Sequence, residues 1–543
     1  MKTKLAIVCI LLACGAIGYG VYRLAFSSAE LRDGSYEVVI CATGDVHGAY
    51  FEKGYRGEEK HKSSLARVAT FIENVRANGK NPIVLDLGDA YQGDMASYYY
   101  NYVDTVSEHI FASMTKYIGY DAYVVGNHDI ETGHAVYDRV RRDLGKPYLA
   151  ANAIRTGEGE EAGLPYFDDY TMIDRDGIRI AVIGMTNANI GNWLSDSLWY
   201  GMEFSIISDI AQQMVDSVQA AHRPHVTVLA IHSGRGDGSG PDIENEGLYL
   251  ARTLRGVDVV LCSHDHKVVP DAPYNPNGPI VLLDAGNKAR NINVAVVKFL
   301  VKDGEVRRKI VEGDVFNLSD VEPSAAFEEY FSGHYAAVDS FADLPVCTIT
   351  DTIHFDVSLE KPSAYMTLIH EVQLEATGAD VSFTAPLTTR GFIAPGVLTQ
   401  ADVAELYRFE NKLVTITMTG RQIRDYLEFS YGNQIAGEGP TYNYDSAAGI
   451  KYRVNRKAAK GRRVSITSMA DGSKFDPERE YTVAINSYRV NGGGYLLRDG
   501  AGIDPDTIEP LAEYGEVRTL LREYLSAKGE YTPHKADNWR FVK

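Results

Sequence analysis

The feature that most constrains this chain is a series of short apolar segments, each running directly into acidic, imidazole or amide side chains. Such segments predict buried strands, and open α/β sheets bind ligands at the carboxyl ends of their strands. We therefore expect the polar groups to meet at one edge and to form a metal site. The segments and the groups that follow them are 38–43 with Asp45 and His47, 83–87 with Asp89, 122–125 with Asn127 and His128, 227–231 with His232, and 257–262 with His264 and His266.

Length and charge narrow the class of function. At 543 residues the chain exceeds what one hydrophobic core usually supports, so two domains are expected. Its net charge of −19 argues against a nucleic-acid polymer as the partner, because binding a phosphate backbone needs a basic surface. A small anionic substrate is compatible with this charge if a local positive centre, such as a pair of metal ions, attracts it.

The N-terminus has the pattern of a targeting or anchoring segment. Lys2 and Lys4 precede an uncharged run at 5–22, and Arg23 follows it. The run is long for a secretory signal and just long enough to span a bilayer. Three alternatives stay open for residues 1–26: a retained anchor, a cleaved signal, and lipidation at Cys14. Each predicts that the protein body lies outside the cytoplasm and that only this segment meets a membrane.

Alternating strands and amphipathic helices predict an α/β domain over the first part of the chain. Residues 64–77 and 205–221 show helical periodicity, whereas 279–316 is predicted to be a β-meander with a turn at 302–304. A helix-like connector at 324–341 then leads to a second, α+β domain. The predicted bounds are 1–26 for the leader, 36–318 for the first domain, 319–343 for a helical linker and 344–543 for the second domain.

The strand-end groups are numerous enough for two divalent ions, which need a shared ligand and further nitrogen and oxygen ligands on each side. Asp89 is the expected bridge. Mixed imidazole, carboxylate and amide ligation favours zinc, manganese or iron over calcium. If residues 264–266 are extended, both imidazoles fall on one face and can reach two ions. The predicted ligands are Asp45, His47 and His266 for one ion, and Asn127, His232 and His264 for the other.

His128 lies next to a predicted metal ligand but is not itself assigned as one. Because it follows Asn127, we expect its ring to point away from that ion and toward a leaving group, where it stabilises charge or donates a proton. Either Asp129 or Glu131 is expected to orient the ring. The other nine histidines have no comparable context and are interpreted as surface or packing residues. Cys41 and Cys262 lie on predicted core strands and are expected to be buried free thiols.

These motifs together resemble the calcineurin-like metallophosphoesterase signature, and the two-domain layout resembles the 5′-nucleotidase family. The resemblance implies a four-layer α/β catalytic domain and a C-terminal substrate-binding domain. It also implies the seven metal ligands named above and a catalytic role for His128. Glu131 is a departure from the family pattern, because many 5′-nucleotidases have Asp at this position. A His–acid pair of His128 and Glu131 is still expected by resemblance.

The second domain looks most like the branch that hydrolyses 2′,3′-cyclic nucleotides and 3′-nucleotides. Typical 5′-nucleotidases carry an Asp in the glycine run near the end, and the run at 492–495 of this chain has none. By resemblance, Phe409 with Asn411 beside it and Tyr488 are the candidates that hold the base between two rings, with Tyr444 as a fallback for the first ring. Arg390 resembles the arginine that meets the substrate; Arg408 and Arg489 are weaker candidates.

The resulting hypothesis is a two-metal phosphohydrolase acting on a small nucleotide substrate, most like a 2′,3′-cyclic-nucleotide 2′-phosphodiesterase/3′-nucleotidase. The first alternative is a 5′-nucleotidase that releases phosphate from nucleoside 5′-monophosphates. A further enzyme alternative is a hydrolase of another phosphoester, such as a sugar nucleotide. The alternative of a different class is a catalytically inactive nucleotide-binding surface protein, against which the complete ligand set and His128 argue.

Overall fold

The structure is a computed structural model that describes residues 31–56, 61–409 and 411–542. The predicted leader at 1–26 lies outside these residues. Within the described part of the chain, we find no helix that is both long and apolar enough to cross a membrane.

Two six-stranded sheets form the centre of the first half of the chain. Across the first sheet, the strands lie in the order Glu305–Asn317, Asn291–Lys302, Gly34–Thr43, Ile83–Asp86, Ala122–Val124 and Tyr148–Leu149. Across the second, they lie in the order Val268–Asp271, Val281–Ala285, Val259–Cys262, Val226–His232, Ile178–Thr186 and Tyr170–Arg175. A separate pair joins Ala153–Arg155 to Met202–Phe204. The central strands of both sheets are parallel to their neighbours, as the strand-end interpretation requires.

The two sheets pack face to face, and helices cover their outer faces. Between the sheets, alternate residues such as Ile40, Leu85, Val228 and Leu261 form one apolar core. The opposite faces of the strands pack on helices and form two further cores. The described helices of this half are Leu65–Ala77, Met95–Tyr98, Ile110–Ile118, Asn127–Glu131, His134–Leu144, Ile190–Trp193, Asp196–Trp199, Ile207–His222 and Gly247–Thr253, with a π-helix at Tyr99–Val103. The predicted four-layer α/β fold is confirmed.

The prediction of a β-meander at 279–316 is wrong. Val281–Ala285 pairs in parallel with Val259–Cys262 in the second sheet, whereas Asn291–Lys302 and Glu305–Asn317 form a hairpin in the first sheet. The chain therefore crosses from one sheet to the other between Ala285 and Asn291. Apolar periodicity identifies each strand but does not say which sheet it joins. The hairpin turn itself was predicted correctly, and positive φ at Asp303 and Gly304 suits a tight two-residue turn.

Two helices, Ala325–Tyr330 and Ser332–Ala342, connect the first half to a mixed α/β second half. Ser324 caps the first helix, because its hydroxyl accepts a hydrogen bond from the amide of Phe327. The main sheet of the second half consists of Ser446–Ala448, Val381–Thr384, Glu480–Asn486, Lys412–Thr419 and Ala512–Glu516. Its helices are Ala364–Thr377, Gln400–Leu406, Gly420–Ala436, Ser487–Val490 and Val517–Lys528, with short 3₁₀ turns at Thr441–Asn443, Gly493–Tyr495 and Pro505–Thr507 and a π-helix at Leu496–Ala501.

Three smaller sheets complete the second half. They are Gly396–Thr399 with Pro345–Ile349 and Glu530–Tyr531; Val464–Met469 with Ile450–Asn455 and Trp539–Val542; and Ile353–His354 with Phe392–Ile393. Two apolar clusters, separate from those of the first half, form its core. Cys41, Cys262 and Cys347 are buried free thiols, as expected for the first two.

Candidate metal centre and active-site cavity

The carboxyl ends of five strands bring the predicted metal ligands together in two groups. One group is Asp45, His47 and His266; the other is Asp89, His232 and His264. Five of the seven predicted ligands have the positive φ that L-residues rarely adopt: Asp45, His47, Asp89, His264 and His266. Left-handed backbone costs on the order of 1–3 kcal/mol per residue and tends to occur at functional sites. The loops at the strand ends therefore have a strained backbone conformation, which directs these side chains toward the two ligand groups.

The condition that residues 264–266 be extended is not met, because His264 has a φ of 96° and His266 a φ of 58°. The two imidazoles nevertheless belong to different ligand groups. The left-handed turns, rather than the alternation of a strand, make the two rings diverge.

The first ligand group has the chemistry of a cation site. The Nε2 atoms of His47 and His266 lie 3.1 Å apart, and Oδ1 of Asp45 lies 3.8 Å and 3.7 Å from them. This carboxylate oxygen is buried and has no hydrogen-bond partner, whereas Oδ2 accepts hydrogen bonds from Ser263 and from the amide of His264. A buried oxygen without a donor, facing two imidazole nitrogens, is an arrangement that a divalent ion satisfies.

The second group is equally compact. Nε2 of His232 lies 3.2 Å from Oδ2 of Asp89 and 3.1 Å from Oδ1 of Asn127. The same Asn127 oxygen is 2.9 Å from Nδ1 of His264. Although burial opposes ionisation of Asp89, the neighbouring His232 and His128 hold its pKa well below the usual value.

Hydrogen bonds on the far side of the imidazoles fix which nitrogen is free to bind a metal. Nδ1 of His47 donates to the carbonyl oxygen of Gln92 at 3.2 Å, and Nδ1 of His232 donates to that of Leu87 at 2.7 Å. In its neutral form each ring therefore presents the lone pair of Nε2 to its group. For His232 burial opposes the charge, but Asp89 outweighs it and raises the pKa to about 9, so a bound ion would take the place of a proton there. Burial lowers the pKa of His47 to about 4, which keeps that ring neutral, as a metal ligand must be.

His128 and Glu131 form a pair on one face of the short helix Asn127–Glu131. Nδ1 of His128 lies 2.5 Å from Oε2 of Glu131, three residues later. Burial opposes the charge, but the carboxylates of Asp89 and Glu131 outweigh it and raise the pKa of His128 to about 10. Asp129 instead accepts hydrogen bonds from the amides of Asp89, Ala90 and Gly126. Of the two acids considered for orienting the ring, Glu131 is the one in contact with it.

A cavity of about 780 Å³ lies between the two halves of the chain, beside both His128 and the second ligand group. Asn127, His128 and His264 line it from the first half. Asn411 and Tyr488 line it from the second half. The structure thus brings His128, part of the second ligand group and two of the predicted substrate contacts to one space.

The other predicted substrate contacts lie elsewhere. Phe409 is half-buried and packs on an apolar core, and the ring of Tyr442, which lines the cavity, meets it edge-on at 5.9 Å. Arg390 is exposed and outside the cavity lining. Tyr444 is buried, and its hydroxyl donates to the carbonyl of Gly439.

The two weaker arginine candidates have other partners. Arg489 is buried in an ion pair with Asp445 at 2.7 Å. Arg408 pairs with Glu405 and lines a second cavity.

Sequence patterns did not reveal several residues beside the metal centre. Glu244, Trp193 and Asn287 contact predicted ligands from loops or a one-turn helix. Lys412 and Asn491 of the second half reach the first half through Ser197 and the carbonyl of Trp193. Asn287 follows the strand Val281–Ala285 by two residues, a strand-end position that the prediction of a meander over 279–316 obscured. None of the other four directly follows a strand or repeats at a fixed spacing, so the sequence carries no signal for them.

Comparisons with known proteins agree with this geometry. A family model described as calcineurin-like phosphoesterase matches residues 38–268, and one described as 5′-nucleotidase, C-terminal domain, matches residues 345–497. A 2′,3′-cyclic-nucleotide 2′-phosphodiesterase/3′-nucleotidase of Haemophilus influenzae is 25% identical, with 93% of this chain and 87% of that protein covered. Protein UshA of Yersinia enterocolitica is 24% identical, with 86% and 87% covered.

Solved structures show the same fold at low sequence identity. A crystal structure of a Staphylococcus aureus protein in complex with alpha-ketoglutarate has a TM-score of 0.77 at 20% identity, covering 94% of this chain and all of that one. A 5′-nucleotidase precursor from Thermus thermophilus has a TM-score of 0.64 at 21% identity, covering 94% of this chain and all of that one.

Proposed function

We propose a function from the premise that this chain belongs to the calcineurin-like phosphoesterases that carry a 5′-nucleotidase C-terminal domain. It is a phosphoester hydrolase. Its proposed substrates are nucleotides, with 2′,3′-cyclic nucleotides and 3′-nucleotides preferred. The observation that carries the proposal is the one cavity that joins His128 and the ligand groups to Tyr488 and Asn411.

The two ligand groups fit a pair of divalent ions, with Asp89 as the proposed bridge between them. Bound there, the ions would supply Lewis acidity toward the phosphoryl group and an activated water. The buried oxygen of Asp45 without a hydrogen-bond partner supports this assignment, as do the Nδ1 hydrogen bonds of His47 and His232, which leave each Nε2 facing its ligand group. Imidazole, carboxylate and amide donors favour zinc, manganese or iron.

We propose that His128 donates the proton that the ribose oxygen needs when its bond to phosphorus breaks. Glu131 occupies Nδ1, which leaves Nε2–H as the donor, and the carboxylate of Glu131 favours the protonated ring. For a cyclic substrate the same donor serves ring opening and then release of the remaining monoester.

Tyr488 and Asn411 are the proposed contacts of the nucleoside. A Tyr ring stacks on any base, because every base has a π-face. Phe409 and Arg390 remain proposed substrate residues by family resemblance, and each would need a rearrangement of the second half to reach the cavity. The choice of cyclic and 3′-nucleotides is supported by relatives of that name and by the absence of Asp from the glycine run at 492–495.

The test is hydrolysis of 2′,3′-cyclic AMP, 3′-AMP and 5′-AMP side by side, after chelator treatment and restoration of manganese or zinc. A phosphatase added to the cyclic substrate makes ring opening visible as phosphate. The proposal predicts metal-dependent turnover that favours the first two substrates. Turnover of 5′-AMP alone would instead identify a 5′-nucleotidase, and no turnover with either metal would favour the inactive nucleotide-binding protein.

We also propose that the enzyme works outside the cytoplasm, in the periplasm or at the cell surface. The basic start and apolar run of residues 1–26 support export, with the segment cleaved, lipidated or retained as an anchor. The proposed working units are a catalytic domain at 36–318, a linker at 319–343 and a substrate-binding domain at 344–543. Fractionation of cells that express the full chain tests this location, which predicts activity outside the cytoplasmic fraction.

A further inference from the structure

Two side chains, of Glu244 and Trp193, hold the ring of His264 from outside the ligand groups. Its Nε2–H donates to Oε1 of Glu244 at 3.1 Å, and the indole ring of Trp193 lies nearly parallel to the imidazole, with ring centroids 5.3 Å apart and an interplanar angle of 19°. The backbone of His264 lies in the left-handed region, which is strained for an L-residue. Its ring orientation therefore depends on contacts from outside its own loop.

His47 and His232 offer a contrast, because each donates its far nitrogen to a main-chain carbonyl, of Gln92 and Leu87. A carbonyl at a strand end is fixed by the fold, whereas Glu244 and Trp193 sit on the cavity wall. The carboxylate of Glu244 fixes the tautomer in which Nδ1 of His264 is free to bind a metal. In the second ligand group, the residues that hold a predicted metal ligand in place therefore also line the proposed substrate cavity.

The segment that carries Trp193 also touches the second half of the chain. The side-chain amide of Asn491 donates to the carbonyl oxygen of Trp193 at 2.5 Å, and Nζ of Lys412 donates to Oγ of Ser197 at 3.1 Å. Asn491 lies three residues after Tyr488 and lines the same cavity. A continuous set of contacts therefore runs from the proposed base site through Asn491 and Trp193 to His264.

We propose that Glu244 and Trp193 are positioning residues for His264, and that Asn491 couples nucleoside binding at Tyr488 to retention of the ion that His264 holds. The inference rests on the proposed function, because it takes the two ligand groups as metal sites. It predicts that a nucleoside bound against Tyr488, on the short helix that Asn491 caps, slows release of one of the two ions. The ion of the Asp45 group has no such connection through Asn491.

The test follows the release of zinc from the full-length protein into a chromogenic chelator, a readout that does not depend on turnover. Loss of a partner that orients a metal ligand typically costs about 10- to 100-fold in metal affinity. Glu244→Ala and Trp193→Ala are expected to accelerate release of one zinc of the two by about that factor, whereas Glu244→Gln and Trp193→Phe restore part of the retention. The thermal unfolding midpoint, measured alongside, identifies any variant that fails to fold.

Asn287→Ala is the matched control, because the Asn287 amide lies 3.1 Å from Nδ1 of His266 in the other group. Asn287→Ala is expected to accelerate release of the zinc held by the Asp45 group. The double variant Glu244→Ala, Asn287→Ala is therefore expected to release both zinc ions quickly. Release of both ions at the wild-type rate in Glu244→Ala and Trp193→Ala would overturn the positioning role. A chain that binds no zinc would instead overturn the proposed function.

The coupling is tested with adenosine, which has the base and ribose but no phosphate to bind a metal. Adenosine is expected to slow the release of one zinc from the wild-type chain. In Asn491→Ala the ratio of the release rates with and without adenosine is expected to return to one, whatever the rate without adenosine. An equal effect of adenosine in both proteins, or no effect in the wild type, would overturn the coupling through Asn491.

Discussion

Gly493 provides the sharpest test of Tyr488 as the residue that stacks on the base. A Cβ added at Gly493 would lie 2.4 Å from Cε2 and 2.5 Å from Cδ2 and Cζ of the Tyr488 ring. Ordinary Cβ contacts begin near 3.4 Å, so Gly493→Ala must push the ring away by about 1 Å. Stacking of one base on an aromatic ring contributes about 1–3 kcal/mol. Because about 1.4 kcal/mol is a tenfold change, its loss corresponds to about a 5- to 150-fold effect.

The assay compares 2′,3′-cyclic AMP with bis(4-nitrophenyl) phosphate, a phosphodiester without a base. Because stacking acts in the ground state and the transition state alike, Gly493→Ala is expected to raise KM for the nucleotide with little change in kcat. The synthetic ester is expected to react as in the wild type. Gly333→Ala is the control, since a Cβ there meets nothing within 4 Å. An equal loss with both substrates, or no loss with the nucleotide, would refute the stacking role.

Three further substitutions test other parts of the account. His128→Asn is expected to lower kcat by about 10²- to 10⁴-fold with both ions retained, and loss of metal instead would assign His128 to binding. Arg489→Met removes one partner of the buried pair with Asp445 and is expected to destabilise the chain by about 3–5 kcal/mol in urea unfolding; a change below about 1 kcal/mol would contradict that reading. Burial lowers the pKa of His370 from 6.5 to about 4. Between these two pH values the imidazole is protonated in the unfolded chain but not in the folded one, so the free energy of unfolding falls as pH drops from 6.5 to 4. His370→Gln is expected to reduce that loss by about 3 kcal/mol, and equal pH profiles for the two proteins would contradict it.

Strand-end positions were predictable from the sequence because burial on both faces leaves a clear apolar signal. The segments ending before Asp45, Asp89 and His232 are strands at nearly the predicted bounds. The position of each ligand then followed from the rule that ligands bind at carboxyl ends of strands. The pairing of Val281–Ala285 with the second sheet did not follow, because a strand between two sheets of similar composition has no local preference for either.

Most outer contacts of the metal centre could not be predicted. Glu244 reaches His264 from a loop whose course depends on tertiary packing, whereas Asn287 follows the strand Val281–Ala285 by two residues and was missed because that strand was assigned to a meander. The left-handed φ of His264 is also invisible in sequence, because His has no intrinsic preference for that region comparable to that of Gly. Loop geometry likewise decides that Tyr442, rather than Phe409, lines the cavity.

The central claim is that the two ligand groups hold two ions on which hydrolysis depends. The most direct measurement is a titration of the chelator-treated chain with manganese, in which bound ions per chain and hydrolysis of 2′,3′-cyclic AMP are followed together. We predict that the wild type binds two ions and that activity appears with the second ion. Asp89→Asn, which alters the proposed bridge, is predicted to lose both two-ion binding and activity. Full activity in the metal-free chain, or unchanged two-ion binding in Asp89→Asn, would contradict the account.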